Sequence, residues 1–169
     1  MRLVFNSTPL IYLAKVGLLS LLKDLPYEKL TTFGVKKEVV DRGKEKATKD
    51  ASIIEKIIQE GTLKIEKITD EEFLRRLSGI PELHHTDAEV LTLAREIGGT
   101  AIADDRIARE VARIYEIEHG GTAFILAILI AHRLITKKEA RSALDDMISL
   151  GWRCSTEQYS QMIKQIEEI

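Results

Sequence analysis

Short apolar segments recur along this chain, and each is followed by a stretch with helical periodicity. Residues 3–5, 29–33, 63–68 and 100–103 read as strands, the third by its alternation of apolar and charged residues. Helical patterns fill the intervals: 8–16, 18–22, 35–41, 49–59, 70–77, 86–97, 105–115 and 122–132. Strands that alternate with helices join by crossovers, and right-handed crossovers place helices on both faces of a parallel sheet. The expected fold is a three-layer α/β/α sandwich around a central, mostly parallel sheet. With 169 residues, such a chain buries about 70% of its extended surface. One domain over 1–169 is therefore expected, with helices from about residue 134 packing on the same core.

Local signals set the helix ends. Thr8 and Pro9 read as the start of the first helix, Thr as its cap. Ile53, Ile54, Ile57 and Ile58 give the 49–59 helix one apolar face. Thr86–Glu89, Thr136–Glu139 and Ser155–Gln158 each have the spacing of a capping box. The apolar run 122–131 falls short of the ~20 residues that span a bilayer and reads as a buried helix. The start has too short an apolar run for a signal peptide. Cys154 is the single cysteine, which excludes an internal disulfide and a thiolate zinc site and fits a reduced, cytoplasmic setting. A net charge of −2 supplies no general pull on nucleic acid, so any such site is local.

In an open parallel sheet, ligands bind in the crevice beyond the carboxyl ends of the strands. Asn6, Ser7 and Thr8 follow the first strand there, and Asp104 and Asp105 follow the 100–103 strand. Asp87 shares the apolar stripe of its helix with Val90, Leu91 and Ala94, a costly place for an acid unless it is paired or bound to metal. Glu38 lies on the side of its helix that carries Val35, Val39 and Arg42. Each has a local alternative. Asp87 and Asp105 suit the positive ends of helices, or Asp104 caps the second of them. Glu38 pairs with Arg42, and Asn6 bonds its own turn. The convergence of several acids on one sheet edge outweighs these, because clustered carboxylates repel until a cation or shared protons relieve them. Oxygen-only ligands suit Mg²⁺ or Mn²⁺. His84 and His85 read as loop residues beside the cleft, and Lys36 and Lys37 as a solvated face flanking Glu38. No phosphate-binding loop, dinucleotide fingerprint or nucleophile elbow is present.

In this order, the segments LVFNSTPLIYL (3–13), VKKEV (35–39), TDAEV (86–90) and AIADDRIAR (101–109) resemble the PIN domain family of metal-dependent ribonucleases. Gly121-Thr122 before an apolar helix fits as well, and so does the tail with its Gly151-Trp152 turn. The likeness is closest to the VapC-like toxin kind. The resemblance implies an acidic pocket that holds one or two Mg²⁺ or Mn²⁺ ions and cleaves single-stranded RNA. It implies Glu38, Asp87 and Asp105 as the catalytic acids, with Asp104 and Asn6 added to the metal set. Ser7, Thr8, Lys36 and Thr122 become candidate substrate contacts. Asn6 stands where most of the family has an aspartate, offering a carbonyl oxygen without charge. An antitoxin partner and a homodimer are implied in the same way. Two alternatives stay open: a weakened PIN-like module that binds RNA or a protein, and a metal-dependent phosphatase on a related scaffold.

Overall fold

The computed structural model describes residues 1–169. Five parallel strands form one sheet in the order β3-β2-β1-β4-β5. They are β1 (Arg2–Phe5), β2 (Glu28–Thr32), β3 (Lys64–Glu66), β4 (Thr100–Ile102) and β5 (His119–Gly120). In register, Val4 lies opposite Leu30 on one side and Ala101 on the other. Leu3, Val4, Phe5, Ala101 and Ile102 are fully buried, as strands covered on both faces require.

The first helix, α1 (Ser7–Lys15), is followed by a 3₁₀ segment, Leu19–Asp24. After β2 come α2 (Phe33–Lys36), a π-helical turn (Lys37–Asp41), α3 (Arg42–Glu45) and α4 (Lys49–Gln59). Then follow α5 (Glu71–Ser78), α6 (His85–Ile97), α7 (Arg106–Ile114), α8 (Thr122–Ala131), α9 (Lys137–Ser149) and α10 (Thr156–Glu168). Helix α6 packs across β1, β2 and β4 with α5 and α7 beside it, while α4 and α8 each lie against α1. The result is a three-layer α/β sandwich. Helix α8 is apolar almost all round because α1, α9 and α10 all pack on it. One cluster of buried apolar side chains runs from Leu3 to Ile166. No helix is long and apolar enough to cross a membrane.

The chain differs locally from the sequence reading. The capping boxes at Thr136 and Ser155 both form. The one expected at Thr86 does not: α6 starts two residues earlier, with His84 at its cap. Glu89 is drawn away, because its carboxylate accepts the Thr32 hydroxyl (2.6 Å) and the Gly34 amide (3.1 Å) and pairs with His85. The first helix is capped by Asn6 rather than Thr8. The helix expected over 35–41 is interrupted by the π turn. Gly98, at φ +63°, ends α6 in the left-handed conformation that a side chain would strain.

Candidate active site

The strand order reverses between β1 and β4. The chain works outward from β1 through β2 to β3, then returns to β4 on the opposite side. Diverging connections there leave a crevice at the carboxyl ends of these two strands, the usual place for a ligand. Asn6 and Asp104 leave β1 and β4 at that point, and the Asn6 amide donates to the Ile102 carbonyl (2.9 Å).

Asn6 is buried and uses both ends of its side chain. Its carbonyl oxygen accepts from Ser7 N (2.8 Å), capping α1, and its Nδ2 donates to Asp87 Oδ1. The carbonyl oxygen that would have faced a cation is thus turned into the helix, and the amide faces the acid. Asp87 is carried in by the first turn of α6 and is only 3% exposed. Burial is the main reason its carboxyl is pushed up to about 7. The charges of Asp105 and Glu38 push the same way, while His84 and the Asn6 hydrogen bond oppose them.

Asp105 caps α7, its Oδ1 accepting from Ala108 N (2.9 Å). Glu38 sits half-buried on the π turn, a helix irregularity frequent at functional sites. It forms no ion pair; Arg42 lies on the same stretch without reaching it. Asp104 is committed elsewhere. Its Oδ1 accepts from Thr122 N (2.7 Å), and its Oδ2 from the Thr122 hydroxyl (2.6 Å) and Trp152 Nε1 (3.1 Å). It ties the start of α8 and the Gly151-Trp152 turn to the end of β4.

These segments enclose a hollow of about 230 Å³ with no hydrophobic side chain in its wall. Asn6, Ser7, Thr8, Glu38, Asp87, Asp104 and Asp105 all line it. Two further candidates lie outside. Lys36 pairs with Asp41 (2.9 Å) and is not in the wall. Thr122 is fully buried and spends its hydroxyl on Asp104, so it fixes that acid and is not open to substrate. The wall also takes in His84 and Thr86, and the Trp152 bond to Asp104 had no sequence signal beyond the turn that carries it.

The donor set fits a hard cation by its chemistry: oxygen ligands, an acid whose ionisation is penalised by its neighbours, and a buried Ser7 hydroxyl with no partner. No three His, Cys, Asp or Glu side chains stand close enough together here to hold a metal ion between them. An ion here would therefore complete its shell with water, as Mg²⁺ commonly does.

A family model described as a PIN domain matches residues 2–168, and the chain belongs to that family. No curated protein matches the chain. PIN domains are generally nucleases, hydrolases of nucleic acid that use divalent metal ions.

Proposed function

We propose that the hollow is the active site of a divalent-metal-dependent endoribonuclease acting on single-stranded RNA. The observation that carries this reading is Asp87: a buried acid, raised to about 7 by burial and by two neighbouring acids, at the switch point of a parallel sheet. Such a site costs stability until a cation occupies it. Glu38, Asp87 and Asp105 would hold Mg²⁺ or Mn²⁺. When bound, the ion supplies Lewis acidity that activates a water and neutralises charge on the phosphate. Asn6 holds Asp87 Oδ1 in place through its amide, leaving Oδ2 without a protein hydrogen bond. The cap on α7 fixes Asp105 in the same sense. Thr8, half-buried in the wall, offers the hydroxyl that a phosphate oxygen or its water can reach, while the Ser7 hydroxyl is buried behind it without a partner.

Cleavage of a labelled single-stranded RNA with Mn²⁺ tests the proposal. The parent should cut and Asp87→Asn should not; equal rates overturn it. Metal binding without cleavage by either protein would point instead to the weakened module, for which Asn6 in place of a charged ligand is the specific support. Within the nuclease reading, the chain acts as the toxin of a toxin–antitoxin pair and works as a homodimer. The resemblance to VapC-like toxins supports this, and a monomer in sedimentation at micromolar concentration would count against the dimer.

A further inference from the structure

A second cavity, of about 550 Å³, opens on the other side of Asp104, between α7, α8 and α10. Its wall differs in character from the acidic hollow. Arg109 and Arg113 stand one turn apart on α7, and Arg153 reaches in from the turn before α10. Arg95, Arg106 and Arg141 each hold a carboxylate, whereas these three hold none. Asp104 is the one acidic side chain in this wall, and its oxygens are taken by Thr122 and Trp152. Phe124 is 37% exposed, an apolar side chain left partly in water inside a charged groove. Gln161 and Gln165, four apart on α10, add amides with no partner in the protein.

We infer that this groove binds the nucleotides that flank the cleaved phosphodiester in single-stranded RNA. The inference rests on the nuclease reading of the hollow. Three free guanidinium groups match phosphate oxygens. An exposed aromatic ring offers a stacking face to a splayed-out base. Paired amides can address base edges. A cavity of this size takes a ligand of one or two nucleotides. Asp104 lines both spaces, so the groove adjoins the acidic hollow and a strand held in it lies beside the acidic set. This placement puts cationic groups beside, and not within, the acidic set. A chain with a net charge of −2 can thereby hold a polyanion without neutralising its own metal ligands.

The test is fluorescence anisotropy of a short labelled single-stranded RNA against the full chain, in a chelator so that nothing is cut, across a salt series. Arg113→Gln with Arg153→Gln should weaken binding about tenfold or more and reduce the salt slope by about 1.4, or 0.7 for each phosphate no longer neutralised. Both side chains are exposed and unpaired, and matched melting curves for parent and variant check the fold. Arg113→Lys with Arg153→Lys should keep the salt slope. Phe124→Ala should weaken binding about tenfold with the slope unchanged. Asp87→Asn should bind RNA at least as well as the parent. RNA affinity that ignores the arginine substitutions, or no RNA binding at all, overturns the groove. Cleavage that persists alongside such arginine-insensitive binding leaves the nuclease reading standing. Binding through the arginines with no cleavage does the reverse.

Discussion

Replacing Asp87 with asparagine should make the metal-free protein more stable at pH 8 and leave it nearly unchanged near pH 4. The carboxyl is raised from its ordinary 3.8 to about 7 in the folded chain. A folded-state value above the unfolded one means that the native state binds this proton more tightly. The stability contributed by that proton is complete below about 3.8 and is lost as pH rises through about 7. At about 1.4 kcal/mol per pH unit, the interval corresponds to about 4 kcal/mol at most for this 3%-exposed group. Counter-ions that enter the open hollow lower it to about 2 kcal/mol. Asparagine keeps an acceptor for Asn6 Nδ2 and removes the charge. For a chain of this length about 2–4 °C of Tm accompanies each kcal/mol, so the variant should melt roughly 4–16 °C above the parent at pH 8 in a chelator. Added Mn²⁺ should raise the parent's Tm and leave the variant's nearly unmoved. Melting followed by circular dichroism from pH 4 to pH 8 measures this. A variant that melts at or below the parent at pH 8 refutes the reasoning, since Asp87 would then carry no ionisation penalty.

Other substitutions test the same geometry. Asn6→Asp keeps the cap on α1 and adds a charge to the hollow, so calorimetry should find Mn²⁺ bound about tenfold more tightly or better. Melting in a chelator at pH 8 should fall for that variant. Asp104→Ala strands the Thr122 amide and hydroxyl and the Trp152 indole, and should cost roughly 2–4 kcal/mol in urea unfolding. Asp104→Asn, which keeps one acceptor oxygen, should cost less than half of that. Leu144→Ala, in the fully buried face of α9, should cost about 2–5 kcal/mol and leave RNA cleavage unchanged in a folded sample at low temperature.

Much of the architecture is legible because its signals are local. The buried runs around Val4 and Ala101 need covering on both faces, and helical periodicity between the strands supplies the cover. Thr136 and Ser155 form their capping boxes because α9 and α10 start in the open, where no other group competes for Glu139 or Gln158. Glu89 has the same spacing from Thr86, but β2 and α2 pass close enough for Thr32 and Gly34 to take its carboxylate. A tertiary interaction of that kind leaves no trace in the spacing. The acids of the hollow can be read because each follows a strand or interrupts an apolar stripe. Whether Asp104 faces the cleft or the protein depends on where the Gly151-Trp152 turn lands, some fifty residues later. The π turn under Glu38 is invisible for a similar reason, as it reflects how the 33–45 stretch settles on α1, α4 and α6. The arginines of the second groove lie on two segments that only packing brings together.

The outermost strands of the sheet are also its shortest. β3 has three residues, two of them charged, and β5 has two. An open sheet margin tempts another chain to extend it, and the remedy is to leave too few free amides and carbonyls for a foreign strand to zip onto. Here neither rim offers enough. A second copy that associates with this one gains little by extending the sheet, so mutations at a self-association surface belong on helical and loop faces and not along the sheet's borders.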